Sequence, residues 1–188
     1  VMDTNPGDGK EYYWDDDDYR AHGDGRDHRA YPDSDPWPWA AWPANGGADG
    51  YDPALDPYYR PYMAAWMIYG PFDLSDARAW EVDFWLWREI EPLWDRVWFA
   101  FSPDGQQFYG WPWDGTADWE EENFVLDSYL GDASVWAGWF FESDGSIEFE
   151  GPWVDDILIR KYVPGQVTVQ GTLAYSDRDG NSAPGRYT

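Results

Sequence analysis

From Met63 onward, apolar residues recur at every second position in short runs bounded by turn residues such as Gly, Pro and Asp. A side-chain period of two belongs to a strand with one covered face, and frequent turn residues leave no room for long helices. Ala79–Trp87 sets Trp80, Val82, Phe84 and Leu86 on one side and Glu81, Asp83, Trp85 and Trp87 on the other. Arg96–Ser102 sets Val97, Phe99 and Phe101 together, then turns at Pro103-Asp104-Gly105. Met63–Tyr69 reads as a strand stopped by Gly70-Pro71, Asn123–Leu126 as a short one, and Ser134–Phe141 as a central strand apolar on both faces. Trp153–Tyr162 and Val167–Tyr175 complete the set, and only Ser75–Ala79 and Ile90–Asp95 have room for a helical turn. Short, regularly spaced strands with turn punctuation predict an all-β protein, an antiparallel β-sandwich.

The two ends read differently. Residues 1–61 are dense in turn residues and hold no period for long, which predicts an irregular, acidic, aromatic-rich segment lying on the sandwich. A loop of that length is uncommon inside a domain, so parts of it are expected to form short strands anchored by Tyr12, Tyr13, Trp14 and the Trp37/Trp39/Trp42 group. Residues 62–163 form the sandwich core, and residues 164–188 are a linker followed by an alternating strand without a domain of its own. That strand joins the sandwich, opens a further domain, or pairs with another molecule; Val167, Val169, Leu173 and Tyr175 would make the contact.

Charge narrows the function. Asp and Glu number 37 against 12 Lys and Arg among 188 residues, a formal net charge of −25. Such a surface repels phosphates, which excludes nucleic-acid binding and docking on an anionic leaflet. High net charge alone would suggest disorder, but 16 Trp and an aromatic share of 21% supply a core. There is no Cys, hence no disulfide and no thiolate chemistry, and His22 and His28 are the only imidazoles. No apolar run approaches the ~20 residues that span a bilayer. A composition poor in Lys and rich in Asp, Gly, Pro and Trp favours a secreted protein.

Two carboxylate groups stand out, Asp15–Asp18 and the pair Asp155-Asp156. In Val154-Asp155-Asp156-Ile157 the apolar residues are three apart, so both face inward only if the backbone bulges at the Asp pair and re-aims a carboxylate. An Asp pair at a bulge facing an acidic loop suits calcium, which takes six to eight hard oxygens in irregular geometry. Solvated acidic loops are the alternative. Glu148, Glu150 and Glu120–Glu122 could in principle supply a glycosidase pair, but alternation gives them a simpler place on a polar face. Asp177-Arg178-Asp179-Gly180-Asn181 starts like a calcium loop, but Ser182 stands where the loop glycine belongs, and a hairpin turn is the better reading.

The tryptophans divide into two sets. Trp80, Trp136 or Trp139, and Trp153 fall in strands and are structural. Trp37, Trp39, Trp42, Trp111, Trp113 and Trp119 fall in segments rich in Pro, Gly and Asp and read as loop residues. Of these, Trp37, Trp39, Trp111, Trp113 and Trp119 could stack on sugar faces, contact another subunit, or close the ends of the sandwich.

An ordered set of segments resembles a known family. Tyr69-Gly70-Pro71-Phe72-Asp73-Leu74-Ser75, Phe84-Trp85-Leu86-Trp87, Glu91, Asp95, Ser102-Pro103-Asp104-Gly105 and Glu150-Gly151-Pro152-Trp153-Val154-Asp155-Asp156-Ile157 run in the order seen in galactose-binding-like, MAM-like jelly-roll domains. Such domains accompany secreted bacterial peptidases of the immune inhibitor A type and occur in bacterial surface proteins. The resemblance implies a jelly roll outside the cell, without catalysis, often with structural calcium held by Asp155 and Asp156 together with Asp16 or Asp17. Glu91 and Asp95 match an acidic pair of that pattern without an assigned role. Two functions are expected from these readings. One is a calcium-stabilised structural or adhesive module that self-associates by strand addition, and the other is a carbohydrate-binding module or an ancillary domain of a secreted peptidase.

Overall fold

The computed structural model describes residues 2–4, 9–18, 39–165 and 169–172. Its strands are β1 (Met2–Asp3), β2 (Tyr13–Asp18), β3 (Trp39–Gly46), β4 (Ala64–Phe72), β5 (Ala79–Glu89), β6 (Arg96–Ser102), β7 (Tyr109–Trp113), β8 (Thr116–Val125), β9 (Val135–Glu142), β10 (Gly151–Tyr162) and β11 (Val169–Thr172). One sheet runs β1-β4-β9-β6-β7 and the other β2-β3-β10-β5-β8, with β11 added on β10. All pairings are antiparallel. From β3 onward the chain passes repeatedly from sheet to sheet, the winding of a jelly-roll sandwich, and the described residues hold no α-helix.

The expected alternation of β5 is what closes the core. Trp80, Val82, Phe84 and Leu86 are at most 1% exposed. Trp80 meets Phe101 edge-on with ring centroids 5.2 Å apart, and Phe84 meets Phe99 at 4.9 Å and Trp139 at 5.2 Å. Edge-to-face packing of this kind adds to the area term that drives burial of large rings. On its other side, Asp83 is buried without being isolated: it pairs with the Arg160 guanidinium and accepts a hydrogen bond from the Asn123 amide. Glu81 joins the same network through Arg160 at 3.2 Å and the Tyr162 hydroxyl at 2.9 Å.

The front of the chain enters the sandwich. β2 and β3 belong to the second sheet, Trp14 donates its indole N–H to the Ala65 carbonyl at 2.9 Å, and Trp42 stacks on Trp153 with centroids 5.7 Å apart. β4 runs on past Tyr69 through an irregularity at Gly70-Pro71, and β8 begins seven residues before the expected Asn123. The bulge required by the Val154/Ile157 spacing is present. β10 slips its register against β5 between Asp155 and Leu158, Asp156 adopts φ +49°, and Val154 and Ile157 are both buried.

Of the expected Val167–Tyr175 strand, the described residues Val169–Thr172 form β11 and pair within the chain. Val169–Thr172 lies antiparallel to Leu158–Lys161 of β10. Val167, Leu173 and Tyr175 lie outside the described residues, as does the loop at Asp177–Asn181.

Candidate functional site

β7, the last described strand on one side of the first sheet, carries two exposed rings. β7 reads Tyr109-Gly110-Trp111-Pro112-Trp113, so Tyr109, Trp111 and Trp113 share one face. They stand opposite Phe101, Phe99 and Val97 of β6, which are fully buried, so this face looks toward the second sheet. Trp113 sits edge-on to Phe84 and Phe124 with centroids 6.3 and 6.1 Å away. Trp111 lies 4.8 Å from Phe124 and stays 47% exposed, and Tyr109 is 59% exposed with its hydroxyl donating to Gln107 Oε1 at 2.8 Å. Beside them Glu122 is raised above its ordinary range, chiefly by burial, although Arg88 and a hydrogen bond with Trp113 oppose the rise.

Reading Trp111, Trp113 and Trp119 as loop residues is corrected here. Trp111 and Trp113 lie in β7, and Trp119 lies in β8, partly buried against the core. Gly110 and Pro112 suggested a loop, yet both suit an edge strand. A Cβ on Gly110 would stand 1.9 Å from the Phe99 carbonyl oxygen, and a Pro is tolerated in a strand that, among the described residues, has no neighbour beyond it. Trp39 opens β3, and Trp37 is outside the described residues.

A second constellation lies where the 51–62 segment, the β5–β6 turn and the β9–β10 connection meet. Glu91 and Asp95 flank a single turn in which the Asp95 N–H donates to the Glu91 carbonyl at 3.3 Å. Asp144 comes from the turn after β9, and its backbone N–H donates to Asp95 Oδ1 at 2.6 Å. Tyr59, fully buried, donates its hydroxyl to Asp95 Oδ2 at 2.5 Å and accepts the Glu91 N–H at 3.2 Å. One carboxylate oxygen from each of Glu91, Asp95 and Asp144 lies within 4.8 Å of the others. Glu91 is 8% exposed and Asp95 fully buried. This all-oxygen triad can hold a metal ion.

Burial comes first among the causes that raise Glu91, followed by the charges of Asp144, Asp95 and Glu148. Asp95 is raised as well, again chiefly by burial, against hydrogen bonds from Tyr59 and Asp144 that favour its charge. An open cleft of about 430 Å³ adjoins the triad through Tyr59 and Glu148, with Asp56, Tyr58, Arg60 and Pro61 on its walls. Arg60 bonds Asp56 at 2.7 Å and lies over the Tyr51 ring at 4.1 Å.

The triad is not the group that the sequence marked. Asp155 and Asp156 occupy the β10 bulge, where the Asp156 N–H donates to Asp155 Oδ1 at 2.7 Å. Asp16 and Asp17 lie in β2, and Asp16 is opposite Ala41, which is opposite Val154. That register sets the Asp16 backbone two strand spacings, roughly 10 Å, from β10. Of the triad, sequence order noted Glu91 and Asp95, while Asp144 had only its Ser143-Asp144-Gly145-Ser146 turn to mark it.

No protein-family model and no curated protein matches the chain. Among solved structures, the chain is similar to the carbohydrate-binding module TmCBM61 in complex with β-1,4-galactotriose, at 11% identity and a TM-score of 0.45 over 67% of this chain and 72% of that one. It is also similar to the K1 cleaved adhesin domain of Lys-gingipain from Porphyromonas gingivalis W83, at 14% identity and a TM-score of 0.48 over 84% and 86%. At such distances the likeness transfers no residue and no ligand.

Proposed function

We propose that this chain is a non-catalytic, extracellular carbohydrate-binding module that presents the β7 edge to a glycan. The observation that supports this reading is the contrast among the rings. Trp42, Trp80, Trp139 and Trp153 are completely buried, whereas Tyr109 and Trp111, two residues apart on β7, keep about half their surface in water. Flat aromatic surface is what the apolar C–H face of a sugar stacks on, and polar groups at its rim meet the hydroxyls. Gln107, the Tyr109 hydroxyl and Glu122 provide such a rim.

Retention on immobilised polysaccharides tests this. The wild-type chain should be retarded by at least one glycan, and Trp111→Ala should lose most of that retardation. Trp94→Ala removes another ring, 64% exposed in the turn between β5 and β6 rather than on the face of β7, and should leave binding intact. Retention unchanged by Trp111→Ala would refute the assignment.

A further inference from the structure

We infer that Glu91, Asp95 and Asp144 form a calcium site that ties together three separate loops of the sandwich, distinct from the Asp155-Asp156 bulge. Proximity of acidic groups alone would not support this, since exposed carboxylates crowd together on many acidic proteins. The second observation is Glu91 itself. Its Oε2 is buried and accepts no hydrogen bond among the described residues, in a side chain more than nine-tenths covered. A buried carboxylate oxygen without a donor is costly, and a cation is the partner that removes the cost.

The surroundings leave that role to an added ion. Among the described residues, the charges that raise Glu91 are those of Asp144, Asp95 and Glu148, all negative. Some carboxylates elsewhere have a cation of the protein itself beside them, as Asp83 and Glu81 have Arg160 and Glu120 has Arg88 at 3.0 Å. Asp95 uses one lone pair of each oxygen for Tyr59 and the Asp144 N–H, which leaves one of each free to coordinate while its orientation stays fixed. Oxygen-only donors from irregular backbone fit calcium. Magnesium asks for near-ideal octahedral geometry and retains its waters, and zinc prefers the nitrogen and sulfur ligands missing here.

A bound ion would join residues 49 positions apart in the chain. Glu91 and Asp95 lie between β5 and β6, and Asp144 lies between β9 and β10. Tyr59 brings in the third loop through its two hydrogen bonds, and with it the wall of the neighbouring cleft. The site shares no residue with β7, and the inference stands whether or not Trp111 binds sugar.

The test is thermal unfolding of the whole chain after treatment with EDTA, followed by addition of calcium chloride or, separately, magnesium chloride. Calcium at a hundredfold excess over its Kd should raise Tm by roughly 5–10 °C, and magnesium by much less. Glu91→Gln keeps the side-chain volume, removes one charge, and should abolish most of the calcium shift while the metal-free protein stays folded. Asp156→Ala should retain the shift. Isothermal titration should show calcium affinity reduced at least tenfold in Glu91→Gln. The inference is overturned by a wild-type Tm indifferent to calcium, by equal shifts with both ions, or by a shift that survives Glu91→Gln and vanishes in Asp156→Ala.

Discussion

Tyr59 shows how much one side chain can organise. Its hydroxyl serves Asp95 as donor and Glu91 as acceptor while its ring packs edge-on to Phe141 at 4.9 Å. Tyr59→Phe keeps the ring contact but leaves a buried carboxylate oxygen and a buried N–H without their partner. That loss should cost about 1–3 kcal/mol in denaturant unfolding, and an unchanged midpoint would mean that these bonds contribute nothing. Ile147 offers the opposite case. It is β-branched, 57% exposed and held at φ +66°, so Ile147→Gly should stabilise by about 1 kcal/mol through relief of backbone strain. The raised carboxyls of Glu91 and Asp95 give a pH dependence of known sign. A carboxyl raised by folding binds its proton more tightly in the folded state, so its contribution favours folding at low pH and is lost as pH climbs through the folded pKa. In EDTA, the Tm of the wild type relative to Glu91→Gln should therefore decrease from the acidic range toward neutrality. In excess calcium the same difference should increase, because the metal requires the deprotonated side chains.

At the scale of elements, what the sequence revealed depended on whether the deciding contacts were local. Arg96–Ser102 was legible to its ends, and the three-residue spacing of Val154 and Ile157 required the β10 bulge, because alternation and burial act along a single strand. β7 was not legible. Gly110 and Pro112 break the local pattern, and the close approach of β6 and a place at the end of the described sheet explain them. Gly110→Ala tests this directly. The added methyl must push against the Phe99 carbonyl, so the change should destabilise by more than 1 kcal/mol and weaken glycan retention through Trp111, although it touches no sugar. A fully stable Gly110→Ala protein would contradict the described pairing of β6 and β7. The carboxylate triad was half legible, as Glu91 and Asp95 are neighbours on one turn, whereas Asp144 reaches them only through closure of the sandwich.

For the molecule as a whole, the −25 charge and the aromatic core act against each other. Interleaved Trp, Phe and Tyr rings give the two sheets their cohesion, and the surface carboxylates repel one another. Sodium chloride should raise Tm by screening that repulsion, with a gradual dependence on ionic strength and no saturation at low concentration. Calcium should act differently, raising Tm with the logarithm of its concentration once that exceeds Kd, as expected for one site in the folded state. Glycan binding should depend weakly on sodium chloride, since stacking and hydroxyl hydrogen bonds involve no net charge on the sugar. The most direct test of the central claim is calorimetric titration of an oligosaccharide from a retained polysaccharide into the wild type, Trp111→Ala and Trp94→Ala. The account predicts saturable binding in the wild type and Trp94→Ala, and at least tenfold weaker binding in Trp111→Ala. Equal affinity in all three proteins would contradict it.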